Sequence, residues 1–333
     1  MTDRKLTFAQ AIWEATDQSM SRDPNVYIMG LGVPDPKGIF GTTLGFKEKY
    51  GSKRVLDMPA SENGMTGVAI GSALTGLRPI MTHQRADFVL VAMDQIVNQA
   101  AKWHYMFAGK TSVPLVIRMI IGRGWGNGPQ HSQNFQAMFA HIPGLRVIAP
   151  ATPYEAKGLL ISSIEDNNPV LFFEHRWLYN QCGCVPEEYY SLPLGTATIL
   201  RPGNDITIIA SMEMALQTLH IAEQLEKYKI SAEIINICSL KPLDENSILQ
   251  SVAKTGRVLI IDSSWSSFGV SAEIAAVIVE KGFDFLKKRI IRLGLPDAPA
   301  PTSKYPGRRS RPRASVGSPG PSTANREPYC KTG

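Results

Sequence analysis

The sequence predicts an α/β protein built from two doubly wound domains, and three observations carry that prediction. Strand-length apolar runs alternate with segments of helical spacing along most of the 333 residues, the pattern of a parallel sheet wrapped by helices. The alternation pauses once, at residues 180–194, and then resumes. Hydrophobic residues make up 44% and charged residues 19% of the chain, enough to bury a core in each half and to exclude global disorder. The expected division is a mostly parallel-sheet domain at residues 1–180, a smaller domain at 195–303 and a tail at 304–333.

Each element follows from its local pattern. Residues 8–20 space their apolar side chains as a helix, and 26–31 form a short apolar strand. A strand-like stretch at 54–57 is followed by a helix rich in small residues at 65–77 and a strand at 79–82. A helix at 92–106 precedes buried strands at 113–121 and 145–149. Pro153 in the first turn opens a helix over 152–165, and 170–174 is the next strand. In the second domain, strands at 206–210, 232–237, 257–262 and 290–293 alternate with helices at 215–227, 244–252 and 272–281.

The net charge of +6 belongs to the tail. Residues 304–333 hold seven basic residues against one acid, and the remaining 28 bases and 28 acids cancel. The neutral body gives no reason to expect a nucleic-acid-binding domain. The tail has no Leu, Ile, Phe, Met or Trp, and 13 of its 30 residues are Pro, Gly or Ser, so disorder is expected there. No apolar run reaches the roughly 18–20 residues that span a bilayer, and the charged N-terminal stretch lacks a signal-peptide core, so a cytoplasmic protein is expected. The four cysteines, Cys182, Cys184, Cys238 and Cys330, lack zinc-ligand spacing and are expected to be reduced thiols.

Three stretches carry candidate chemistry. Glu62, in Pro59-Ala60-Ser61-Glu62-Asn63-Gly64, stands where a strand gives way to a helix. Ligands gather at such edges of a parallel sheet. Its carboxylate has two readings, a ligand or acid/base group and a partner for the dipole of the helix it opens. The run Gly122-Arg123-Gly124-Trp125-Gly126-Asn127-Gly128 places a glycine at every second position after a buried strand and leads to His131. Such a loop needs unusual dihedrals or close backbone approach, and histidine is the side-chain type suited to acid/base work at neutral pH; the other reading is a surface loop with an incidental histidine. His83-Gln84-Arg85-Ala86-Asp87-Phe88 reads locally as a strand end, with Phe88 either core or a stacking platform. Gly109-Lys110-Thr111 is not a phosphate loop, because His104 stands where a glycine is required and the stretch precedes a strand. No dinucleotide fingerprint, no Gly-x-Ser-x-Gly elbow and no Gly-Asp-Gly diphosphate signature is present.

Several motifs in fixed order resemble one family. They are Arg54-Val55-Leu56-Asp57-Met58-Pro59-Ala60-Ser61-Glu62, Met93-Asp94-Gln95-Ile96-Val97-Asn98-Gln99-Ala100-Ala101-Lys102, Gln130-His131-Ser132-Gln133, Pro143-Gly144-Leu145-Arg146-Val147 and Lys241-Pro242-Leu243-Asp244. Over residues 6–301 the chain resembles the beta subunit of the thiamine-diphosphate-dependent component of 2-oxo acid dehydrogenases, of pyruvate, branched-chain or acetoin type. The resemblance implies a pyrimidine-binding first domain and a transketolase-C-like second domain. It implies oxidative decarboxylation of a 2-oxo acid, with pyruvate first in expectation, and acyl transfer to a lipoyl acyltransferase. It also implies an α2β2 assembly whose alpha subunit holds magnesium and the diphosphate, which accounts for the missing Gly-Asp-Gly. The rival readings are an acetoin dehydrogenase, a transketolase-like synthase subunit and a non-catalytic partner subunit.

By position, Glu62 resembles the glutamate that hydrogen-bonds the pyrimidine ring nitrogen, Phe88 the aromatic packed on that ring, with Gln84 beside it, and His131 the histidine of proton transfer or lipoyl acylation. A potassium site would map onto Leu115, Ser163, Ile164, Asp166 and Asn168, mostly through backbone carbonyls. Three departures stand out. Thr82 and His83 replace an acid and an aromatic that many relatives carry, and Arg85 replaces a commoner aromatic. The Pro/Arg/Ser tail stands where relatives continue into a helix, the pattern of a replaced or frame-shifted terminus, with weaker docking to the acyltransferase expected.

Overall fold

The computed structural model describes residues 4–302. The expected disorder of residues 304–333 and the question of their origin lie outside the described residues. The first domain is built on a seven-stranded sheet in the order Ser239–Lys241, Arg146–Ile148, Val170–His175, Val116–Ile121, Arg78–His83, Val26–Met29, Val55–Leu56. All neighbours are parallel except the pair formed by Ser239–Lys241 and Arg146–Ile148. The two central strands, Val116–Ile121 and Val170–His175, are buried at every residue, as strands covered on both faces must be.

Two helices pack side by side against this sheet, and both open on a capping box. In Phe8–Arg22 the Thr7 hydroxyl accepts from Gln10 N at 3.1 Å while Thr7 N donates to Gln10 Oε1 at 2.8 Å. In Pro153–Glu165 the same reciprocal pair joins Thr152 and Glu155. Such boxes satisfy helix N–H groups that have no intrahelical partner. The buried Lys157 ammonium ties the two helices together, donating to Glu14 at 2.6 Å and to the carbonyls of Pro186, Glu187 and Glu188.

The second domain has a five-stranded sheet in the order Ile291–Leu295, Val258–Trp265, Ile206–Ala210, Ala232–Asn236, Thr198–Arg201, antiparallel only at the last strand. The helices Met212–Glu226, Glu245–Thr255 and Val270–Gly282 match the expected segments to within a few residues.

Four features differ from the sequence reading. The strand Ser239–Lys241 follows the second domain's Ala232–Asn236, yet completes the first domain's sheet. Cys182–Cys184, inside the expected loop, pairs antiparallel with Lys5–Thr7. The helix expected at 92–106 is a 3-10 turn at Leu90–Ala92, a π-helix at Gln95–Ala100 and an α-helix at Ala101–Met106. Cys182 and Cys238 are free thiols, whereas Cys184 is disulfide-bonded, which corrects its reading as a reduced thiol. Among the described residues no helix is long and apolar enough to cross a membrane.

Candidate active site

The carboxyl ends of the parallel strands define one edge of the first sheet, and the candidate residues lie along it. The strand Arg78–His83 runs directly into Gln84 and the short helix Ala86–Val89, which carries Phe88. The neighbouring strand Val116–Ile121 runs into the glycine loop. Gly122, Gly124, Gly126 and Gly128 have φ of 120°, 103°, 75° and 72°, a region that side-chain-bearing residues rarely adopt. Alternate positive-φ residues fold the chain back, and the turn Pro129–His131 follows. His131 then meets Phe88 edge-on, with ring centroids 5.4 Å apart and planes at 89°.

That contact is held from both sides. Gln133 donates from Nε2 to Asp87 Oδ1 at 2.9 Å. Burial pushes the Asp87 carboxyl above its usual range, opposed by the Gln133 amide and the nearby His131. Asn134 donates to Ser263 Oγ at 3.1 Å, which anchors the end of the loop to the second domain. Trp125 and Trp177 stack at 4.0 Å within the loop region, and Trp177 Nε1 donates to Arg123 O at 2.9 Å.

Glu62 is the first residue of the helix Glu62–Leu74 and is partly buried. One turn on, the Thr66 hydroxyl donates to Glu62 O at 2.7 Å and lies 3.4 Å from Met81 Sδ. The first turn therefore sits over the strand Arg78–His83, which leads into Gln84 and the helix of Phe88. Among the described residues the Glu62 carboxylate takes no hydrogen bond or ion pair. Gln84 donates from Nε2 to Leu31 O at 3.0 Å. The structure thus brings Phe88 and His131 into direct contact. Glu62 and Gln84 stand at the same sheet edge on neighbouring elements, with no contact to that pair.

The expected potassium ligands are already engaged. Arg78 Nη1 donates to the carbonyls of Ile164, at 2.9 Å, and Asp166, at 3.2 Å. Leu115 O accepts from Val170 N at 2.9 Å, and the Ser163 hydroxyl donates to Leu159 O at 2.6 Å. Asp166 Oδ1 accepts from Asn168 N and Nδ2, and Asp166 Oδ2 pairs with Arg146 at 2.7 Å. A guanidinium on two of the carbonyls gives the potassium expectation no support, and no step is derived through that ion.

Sequence reasoning missed the arginines of this edge. Arg85 is buried, and Arg176 lies over Trp125, 4.4 Å from its ring centroid. The signal for Arg85 was its departure from the family pattern; Arg176 simply ends a buried strand and had none.

Comparison with known proteins then decides the family. Residues 4–181 match the family described as "Transketolase, pyrimidine binding domain", and residues 195–306 match "Transketolase, C-terminal domain". The acetoin:2,6-dichlorophenolindophenol oxidoreductase subunit beta of Bacillus subtilis (strain 168) is 42% identical over 312 residues, covering 90% of this chain and 91% of that protein. The pyruvate dehydrogenase E1 component subunit beta of Chaetosphaeridium globosum is 44% identical over 294 residues, covering 88% and 90%. This chain belongs to the beta-subunit family of the 2-oxo acid dehydrogenases. A solved structure described as a split gene transketolase, inactive beta4 tetramer, superposes with a TM-score of 0.73 at 21% identity over 88% of this chain and 90% of that one. That likeness shows the fold. The family membership agrees with the resemblance drawn from the motifs, and the α/β architecture with a parallel-sheet first domain and a smaller second domain is as expected.

Proposed function

We propose that this chain is the beta-type subunit of a 2-oxo acid dehydrogenase, working with an alpha-type subunit in an α2β2 assembly and passing its acyl product to a lipoyl acyltransferase. The division at residues 1–180 and 195–303 and a cytoplasmic location are part of this reading. Thiamine diphosphate, held at its diphosphate end with magnesium by the alpha subunit, supplies the electron sink for decarboxylation when bound. The observation that carries the proposal is the Glu62 carboxylate, partly buried at the ligand edge of a parallel sheet and without a partner among the described residues.

The residues present fit an aminopyrimidine. Glu62, the first residue of its helix, shares a proton with a ring nitrogen. Phe88 offers an apolar face beside it, and Gln84 an amide. His131 moves a proton at the reacting carbon or the lipoyl sulfur. Its position is fixed by the edge-on contact with Phe88 and by Asn134 and Gln133 downstream.

The test is to co-express the chain with its alpha-type partner and to follow reduction of an artificial acceptor across a panel of 2-oxo acids. Pyruvate heads the panel because of the relatives' names. Glu62→Ala is expected to lower kcat by about 100-fold or more while the assembly stays intact on size-exclusion. Unchanged turnover would remove Glu62 from catalysis and leave the non-catalytic partner as the better reading. Acetoin is a second reading, favoured by the name of the B. subtilis relative. Turnover of acetoin and of no 2-oxo acid would select it, and ketol transfer between sugars would select a transketolase-like synthase.

A further inference from the structure

Two guanidiniums at the rim of this site form no ion pair among the described residues, although the Asp87 carboxylate lies near enough to Arg85 to act on it through space. Arg85 follows the strand Arg78–His83 and Arg176 follows Val170–His175, so both stand at the carboxyl edge of the first sheet. They converge on one ring. Arg85 Cζ lies 5.7 Å and Arg176 Cζ 4.9 Å from the Phe40 centroid. Phe40 is 41% exposed and held at a φ of 50°. Arg85 itself is only 9% exposed. Its guanidinium makes one hydrogen bond, from Nη1 to the carbonyl of Gln84 at 3.0 Å, and that of Arg176 makes none among the described residues. Neither forms an ion pair there. The deeply buried cations of the core are different, for Arg118 is paired with Glu174 and Lys157 with Glu14.

Burial and then the like charge of Arg176 push the Arg85 pKa down, and burial does the same to Arg176. Two like charges over one aromatic ring, one buried and one half-buried, repel each other and gain from an added anion. A planar carboxylate is the anion that guanidinium forks fit best.

We infer that Arg85 and Arg176 form a carboxylate subsite that selects 2-oxo acids carrying a second, distal carboxylate. The inference rests on the decarboxylase reading above and narrows its substrate. In that reaction the bond between C1 and C2 breaks and C1 leaves as carbon dioxide. Its electron pair stays at C2, and two electrons pass to the lipoyl disulfide or to an artificial acceptor. A clamp on the departing carboxylate would stabilise the ground-state charge that must be lost, and so would slow the step. A clamp on the carboxylate that stays costs nothing in the transition state. The pair therefore suits the distal group, and Arg85 is tied to the Gln84 carbonyl on the same segment that carries Phe88, which meets His131.

The experiment uses the complex with the alpha-type partner, thiamine diphosphate and magnesium. 2-Oxoglutarate is compared with 2-oxopentanoate, its monoacid of equal chain length. The diacid is expected to have the higher kcat/KM, by about tenfold or more. Arg85→Gln and Arg176→Gln are expected to raise KM for the diacid about tenfold and to change the monoacid by less than about threefold. Arg85→Lys, which keeps the charge, should recover part of the preference. Preference for the monoacid in the unaltered complex, or a ratio that the variants leave unchanged, would overturn the inference. Loss of the alpha subunit from Arg85→Gln or Arg176→Gln on size-exclusion, with Arg85→Lys still assembled, would assign the pair to a carboxylate of the partner and equally overturn it. Should the unaltered complex turn over no 2-oxo acid, the decarboxylase reading fails by itself. The melting temperature with 2-oxoglutarate then decides the subsite: a saturable rise that Arg85→Gln abolishes sustains it, and no rise defeats it.

Discussion

Arg118 and Glu174 are the costliest pair to disturb in this fold. They lie on adjacent central strands of the first sheet, and both side chains are fully buried. Arg118 Nε donates to Glu174 Oε1 at 2.6 Å and Nη2 to Oε2 at 3.0 Å. The pair is extended by Thr42 Oγ1, 3.0 Å from Arg118 Nη2, and by the Tyr179 hydroxyl, 2.7 Å from Glu174 Oε2. Removing one partner leaves a buried charge without its counter-ion, a cost of about 3–5 kcal/mol. Against a total stability of about 5–15 kcal/mol, Glu174→Gln or Arg118→Met alone should bring the chain near its threshold. Replacing both partners, as Arg118→Met with Glu174→Leu, removes both charges. It leaves only the Thr42 and Tyr179 hydroxyls to find new partners, at about 1–3 kcal/mol each. The double variant should therefore be more stable than the two single losses added together, by several kcal/mol. Urea titration followed by near-UV circular dichroism measures all three. Single losses below about 1 kcal/mol, or a strictly additive double variant, would refute the account.

Two further outcomes follow from buried carboxylates. Burial pushes Glu213 up from 4.5 to about 7, with the Gln217 amide and Arg123 opposing. A raised acid stabilises the fold fully below its unfolded value, and that contribution is lost as the pH rises toward 7. Melting temperatures between pH 4.5 and 8 should thus fall more steeply with rising pH in the parent than in Glu213→Gln, and parallel curves would exclude the effect. Thr152→Ala should cost about 1 kcal/mol as a lost cap. Glu155→Ala should cost about 2–4 kcal/mol, because it strands the Ala151 N–H and the Asn236 amide, both buried, in addition to the Thr152 N–H. Equal urea midpoints for the two variants would contradict this.

Much of the fold was legible because its signals are local. The central strands of the first sheet are mostly apolar runs, and caps such as Thr7 and Thr152 announce their helices. Edge pieces were not legible. Thr198–Arg201 has one exposed and three half-buried residues, and Ser239–Lys241 is three residues long and leaves its own domain to pair. Such strands are defined by a distant partner, which no local pattern reports. The π-helix at Gln95–Ala100 kept a helical spacing and so hid its wider turn. In the site, the glycine alternation before His131 correctly foretold the run of positive φ values. The contact of His131 with Phe88 was not visible in spacing, because it is made across two strand ends more than forty positions apart in the chain. The resemblance placed both residues, and the packing gave the reason they meet.

The departures at the end of the strand Arg78–His83 make one physical change when taken together. His83 is buried, and burial lowers its pKa to about 4, so it is neutral at physiological pH. Thr82 has no charge, and its hydroxyl has no partner among the described residues. Where the family pattern would place an acid, this chain has none, and where it would place an aromatic it has the cation of Arg85. An acidic residue at position 82 would lie three residues from Arg85 and offset part of its charge. Without it, the carboxylate that opposes the Arg85 charge among the described residues is Asp87, which burial itself draws toward its neutral form. The exchange therefore leaves an edge that, among the described residues, holds two guanidiniums without an ion pair. That is the behaviour expected of a surface shaped for an anionic ligand, and it arises from substitutions confined to one strand end.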